Sequence, residues 1–322
     1  MPGISSAIGW IAVAKQSAKG TPASAPTMKY KLAAAPTLMP VKERGRYVST
    51  DTGPDQGPSF TSRLGVSGDF QIYMEPSGMA LLWFLHLGAN ADSGTNPNFI
   101  HTATPADDLP YCTIWRMVGN VIKERYVDCK IGRLAIEGSA GAPFTVTLGV
   151  EGISATWNET GADALAALEL AGYLFPELNG AVLFNSVAQR IHRLSFESNR
   201  NISPYQADDY LSADIDPGKR EVNLSVGLRF QGATAFPDYK TFFYSTGTTL
   251  SPVVGTVPVD ITITRTANLS QRLTFPQVTY AGVPVQPDPG GDPIEIDLSM
   301  NVEKSPSQPV LTVVSRDANT TV

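Results

Sequence analysis

Two cysteines and three histidines are all that these 322 residues offer of the side chains most used in catalysis and metal binding. Cys112 and Cys129 make no disulfide framework in a chain of this length, and buried free thiols are the expectation. No HExxH, CxxC, GxSxG, Walker or GxGxxG pattern occurs, so no zinc centre, nucleophile elbow or phosphate cradle is indicated. His86, His101 and His192 fall in a predicted helix, a loop and a strand. His86 reads as the polar tip of a buried helix, and His192, beside Arg193, as a surface or interface residue. Basic charge is scarce too: 24 Lys and Arg stand against 30 Asp and Glu, a net charge of −6. Such a chain has no field to attract phosphates, which argues against sequence-specific nucleic-acid binding but not against a channel through which DNA slides. Carboxylates two apart in Asp214-Ile215-Asp216-Pro217-Gly218 lack the further oxygens and terminal glutamate of an EF-hand. No metal, no cofactor and no enzymatic activity are expected. No stretch is long enough for a membrane span, and the N-terminus has neither a basic start nor a small-residue cleavage pattern. The protein is expected to be made in a cytoplasm and to stay soluble until it assembles.

What the sequence does have is period-two alternation, and it has it twice. In residues 60–74, Leu64, Val66, Phe70, Ile72 and Met74 share one face, and Arg63, Ser67, Asp69 and Gln71 the other. In residues 220–231, Val222, Leu224, Val226, Leu228 and Phe230 alternate with Glu221, Asn223, Ser225 and Arg229. Both patterns describe half-buried strands. Each is followed by a short helix: GMALLWFLHL, capped by Ser77 and closed by Gly88, and YKTFFYST, capped by Asp238 and closed by Gly247. Trp83, Phe84, Phe242, Phe243 and Tyr244 on these helices read as core packing rather than a ligand cage. Each half ends in a hairpin. Gly138 to Pro143 leads into FTVTLGVEG, and PDPGGDP leads into IEIDLSMNVE. The strand phases require an even shift such as 158 between copies, while the final hairpins align at 150. The recurring order of strand, acidic loop, strand, helix and hairpin therefore carries the case for duplication.

The reading is of a mainly β chain: an N-terminal arm at 1–28, a first β-unit at 29–157, a bridging helix and linker at 158–184, and a second unit at 185–322. The best bridging-helix candidate is TGADALAALELAGYL at 160–174. Two loops are too long for hairpin turns, 45–59 and 201–219. They carry Asp51, Asp55, Pro58, Asp208, Asp209, Asp214 and Asp216.

In layout, nearly the whole chain resembles the tail tube, or major tail, proteins of long-tailed bacteriophages in their two-copy form. The resemblance rests on Ile8-Gly9-Trp10 with Lys19-Gly20-Thr21-Pro22, the Gly68 strand, a helix ending in Leu87-Gly88, His101-Thr102 after a Gly/Asn loop, Leu109-Pro110 before a strand, and Phe275-Pro276-Gln277-Val278. It implies two tandem tail-tube-type β-sandwich or open-barrel units, each with a short flanking helix. It implies rings that join their sheets into an inner barrel and stack into a tube in the virion tail. The partners it implies are further copies of the chain, the tail terminator, tape measure and tail-tip proteins, and genomic DNA passing without specific binding. Two copies per chain favour three chains per ring. The two long loops take the place of the loop that reaches the next ring. Glu151, Glu295 and Asp297, on the polar faces of the final hairpins, are candidates for a lumen that repels phosphate. A surface-exposed adhesion sandwich is the alternative, and it would expect an aromatic platform or a secretion signal.

Overall fold

The computed structural model describes residues 9–46, 58–95, 98–119, 122–157, 182–184, 186–189, 191–229, 249, 255–280 and 295–318. Along the chain run β1 (Gly9–Lys15), β2 (Met28–Lys31), β3 (Met39–Arg46), β4 (Ser59–Tyr73), helix α1 (Pro76–Leu87), β5 (Gly88–Thr95), β6 (Asn98–Pro105), β7 (Cys112–Val118), β8 (Ile122–Ser139), β9 (Thr145–Gly152) and β10 (Ser154–Trp157). Then come β11 (Val182–Phe184), β12 (Val187–Gln189), β13 (Ile191–Asn199), β14 (Ser203–Tyr205), β15 (Asp214–Asp216), β16 (Glu221–Arg229), β17 (Val257–Thr266), β18 (Leu269–Tyr280), β19 (Glu295–Val302) and β20 (Thr312–Asp317).

Eight strands form the spine, side by side and all antiparallel, in the order β3, β4, β9, β8, β13, β16, β19, β18. The alternation read from the sequence dictates their facing. Phe70 stands opposite Leu148, Ile136 opposite Phe196, and Leu224 opposite Met300, so one face is apolar from end to end. Strand β8 is long enough to serve two sets of partners. Its second half lies between β9 and β13, while its first half pairs with β7 and β10, and β7 leads on to β1 and β2. At the far end β18 leads to β17, β11 and β12. Strand β20 joins β18 to β6, and so to the β5–β6 hairpin.

Helix α1 lies against the apolar side. Met79, Leu82, Trp83 and Leu85 are fully buried, as befits a helix apolar all round. Trp83 meets Phe196 of β13 at 5.9 Å between ring centroids, and Phe196 meets Phe275 of β18 at 5.6 Å. One connected core thus runs through both halves. Each Leu, Ile or Val buried in it contributes roughly 1.5–3 kcal/mol, against about 0–1 kcal/mol for an exposed ion pair, so this face holds the sheet together. His86 ties the halves as well. Its Nδ1 faces the Ile131 carbonyl and its Nε2 lies 2.8 Å from Ser198 Oγ, while burial lowers its pKa to about 3 and keeps the ring neutral.

Several local expectations change. The cap of α1 is Glu75 rather than Ser77, because Pro76 takes the first helical position, where its missing N–H and fixed φ cost nothing. Gly88 does close the helix, in the left-handed region at φ 103°. Residues 9–15, read as part of an arm, form a buried strand between β2 and β7. Cys112 and Cys129 are buried free thiols, as expected, and stand opposite one another. The helices expected at 160–174 and 238–247, and the PDPGGDP turn, lie outside the described residues.

Candidate functional site

The second face of the eight-stranded spine is mainly polar. Cross-strand partners share a face, so the registers place Glu43, Arg63, Asp69, Glu151, Arg133, Glu137, Arg193, Glu197, Glu221 and Asp297 together, interspersed with Ser67, Gln71, Thr147, Ser195, Asn223, Ser299 and Asn301. Among the described side chains this gives seven carboxylates against three guanidiniums. Lys130 belongs to the same face by register, yet it is only 3% exposed, and its ammonium is held by Asp108 at 2.8 Å and the Ile215 carbonyl at 3.0 Å.

Two of the three arginines are engaged from two sides. Arg63 bridges Glu43 and Glu151, each at 3.1 Å, and Ser67 Oγ donates to Glu151 at 2.6 Å. Arg133 donates through Nε to Glu197 at 2.7 Å, with Asp69 at 3.6 Å. Such half-exposed pairs add little stability. What they do is occupy the guanidinium forks that would otherwise grip a phosphate bidentately. The net result is an acidic wall on which Arg63 and Arg133 are already paired.

The acidic loop 201–219 is folded onto the first half of the chain. β14 and β15 pair as a small hairpin. Ile215 is buried, and Leu211 bridges Leu64 beside β4. Asp214 anchors the hairpin by accepting from the Tyr111 hydroxyl and pairing with Lys19 at 3.2 Å. Partial burial raises its pKa, but the hydrogen bonds from Tyr111, the Ile215 amide and Lys19 outweigh that and leave it below the ordinary value. The tip is open: Asp208 and Asp209 are exposed beside Tyr205, Tyr210 and Leu211, with Tyr210 at 58%.

Of the residues singled out from the sequence, Glu151 and Asp297 lie on the polar face, the former in the Arg63 pair and the latter exposed. The Glu295 backbone continues the same register opposite Arg229, and its side chain lies outside the described residues. Pro58 is exposed just before β4, Asp216 is exposed on β15, and Asp51 and Asp55 lie outside the described residues. Arg63 was legible as a polar-phase residue of its strand. Lys19, Tyr111 and Lys130, which receive the hairpin, are 85 to 194 residues from their partners in it and gave no local signal.

Residues 9–302 match the family described as phage tail tube protein. No curated protein matches the chain.

Proposed function

The chain belongs to the phage tail tube protein family, and from that premise we propose how it builds a tube: as a two-unit subunit, three copies of which close a ring with the polar sheet face toward the bore. As a member of the family it is a structural, non-enzymatic protein of the virion tail.

The observation that carries the proposal is the repetition of pairings. Seven antiparallel pairs recur in the same order: β1–β2, β1–β7, β7–β8, β3–β4, β4–β9, β8–β9 and β8–β10 answer to β11–β12, β11–β17, β17–β18, β13–β16, β16–β19, β18–β19 and β18–β20. Both β-hairpins even carry a bulge at the corresponding place, Cys112/Ile114 and Val257/Val259. Chance alternation gives strands but not the same network twice. On this reading the first unit begins with β1 rather than after the arm, and the second with β11.

Strand arithmetic favours three chains. Each subunit supplies eight spine strands at about 4.8 Å spacing, so ~24 strands from three copies give a backbone circle about 37 Å across, enough for a duplex about 20 Å wide once side chains are allowed for. Two copies give about 24 Å, which side chains would close. An acidic wall with paired arginines repels phosphates over about 8 Å at physiological ionic strength, which suits passage without retention. In this proposal Asp51, Asp55 and Pro58 of the first loop, and Asp208 and Asp209 of the second, make the contacts between stacked rings. Asp214 and Asp216 belong to the base of that second loop. The tube ends would meet the terminator and tail-tip proteins, and the bore the tape measure and then DNA.

Native mass measurement on an isolated ring tests the count, with three times 34.4 kDa as the expected value. Six chains per ring would overturn the trimer. Negative-stain images without rings or tubes would overturn the assembly reading.

A further inference from the structure

We infer that Arg200 and Arg220 form a binding site for an oxyanion, a carboxylate or a phosphate, at the rim of the sheet from which the loop 201–219 leaves. The site belongs to the single chain and goes beyond the tube reading; only the source of its oxyanion depends on assembly.

The last cross-strand pair of β13 and β16 is Asn199 opposite Glu221, and the same register carried one step further sets Arg200 opposite Arg220. Side chains two apart on a strand share a face, so both arginines follow Ser198 and Val222 on the apolar side. There they roof the end of helix α1. Arg220 donates to the Leu87 carbonyl at 3.3 Å, and Arg200 to the Asp107 carbonyl at 2.7 Å. These carbonyls are the only partners of the two guanidiniums among the described residues, and both Nε groups are buried without one. Neither arginine makes an ion pair there, whereas Arg63, Arg116, Arg133 and Arg272 each have a carboxylate oxygen within 3.3 Å.

Like charges directly opposite on neighbouring strands repel. The strain registers at Arg220, whose pKa is lowered to about 10 by burial and then by Arg200, while Asp107 pulls the other way without forming an ion pair. Lys219, exposed beside Arg220, adds a further cation. Against these charges the helix C-terminus supplies roughly half a negative charge. One guanidinium is enough to cap a helix end. A second one placed opposite it, both half-buried, gives two planar forks that can hold one oxyanion between them. On the tube reading this rim meets the next ring, and a chain with 30 carboxylates to 24 cations has carboxylate to offer. In a tube the oxyanion is therefore a carboxylate of a second copy, and phosphate is its stand-in in solution.

Titrating the full chain with inorganic phosphate, while following the arginine Nε–H resonances, tests the site. The Arg200 and Arg220 signals should shift saturably, and chloride at the same ionic strength should leave them in place. Arg200→Gln removes one fork through a solvent-exposed contact, so it should keep the wild-type melting temperature and weaken phosphate binding by at least about tenfold. Arg200→Lys, which keeps the charge and loses the fork, should fall between the two. Unmoved signals in the wild type, or undiminished phosphate binding by a folded Arg200→Gln chain, would overturn the site. Polymerisation then separates the sources. Phosphate that slows tube growth by the wild-type chain supports a carboxylate of a second copy, whereas equal phosphate binding by subunits and finished tubes would overturn that occupant and keep a site for free anions. Failure of the wild-type chain to form tubes would overturn the tube reading and leave the phosphate result standing.

Discussion

Glu75 shows how one side chain can set a pH dependence that the fold as a whole does not. Both its carboxylate oxygens are buried without a hydrogen-bond partner among the described residues, and the residue is only 3% exposed. Burial raises its pKa to about 7, against a smaller opposing pull from Lys31. A carboxyl whose folded pKa lies above its unfolded value of 4.5 is fully tolerated at low pH. Its contribution is lost as pH climbs from about 4.5 through 7, where the folded state must either keep the proton or bury a charge. The loss is on the order of 2 kcal/mol once the nearby cation and partial solvation are allowed for. Glu75→Gln should therefore be more stable than wild type at pH 8 and nearly equal to it at pH 4.5. Urea unfolding at both values measures this, and an unchanged gap in the variant would refute it.

At the scale of elements, Gly68 is the position where the strand and its neighbours leave no room. Its φ of 137° is open to glycine, and a Cβ there would stand 2.6 Å from the Thr37 carbonyl oxygen and 2.8 Å from Leu38 Cα. The segment before β3 is held at this point, with the Thr37 and Leu38 amides both donating to the Asp69 carbonyl. Gly68→Ala should cost about 2–4 kcal/mol, seen as a fall in melting temperature, because the obstructing atoms are backbone and cannot swing away. A loss below ~0.5 kcal/mol would mean that the Thr37–Leu38 segment yields. The spine strands were largely legible, since one buried face forces the period-two pattern on β4, β9, β16 and β19. The β5–β6 hairpin was not. Its sequence GANADSGT has no apolar face, and β6 is fixed by pairing with β20 more than 200 residues on. Nor was the offset between halves fully readable. Phe70 opposite Leu148 and Leu228 opposite Ile296 place the last hairpin strands 148 apart where the first strands differ by 158, two residues from the shift of 150 that the turn prolines suggest. Turn residues mark where a hairpin bends, and the register is set by the strands beneath.

For the molecule as a whole, the polar face was foreseen as acidic, but its paired arginines were not, because Arg63 and Arg133 reach partners on four different strands. That arrangement yields a prediction about DNA. Glu43→Gln with Glu151→Gln leaves Arg63 without its two carboxylates. Tubes of the double variant should retain duplex DNA at low salt, with a dependence on salt concentration that wild-type tubes lack, since each freed cation adds a counterion-releasing contact. Equal and negligible retention by both would show that Arg63 faces away from the bore.

The spine begins with β3 and ends with β18, two unlike strands, so it is a strip with a head and a tail. Strips joined head to tail close only into rings in which every copy runs the same way round, with rotational symmetry and no two-fold across the ring. The upper and lower rims of such a ring are chemically different. A tube stacked from such rings, as proposed above, has two distinguishable ends.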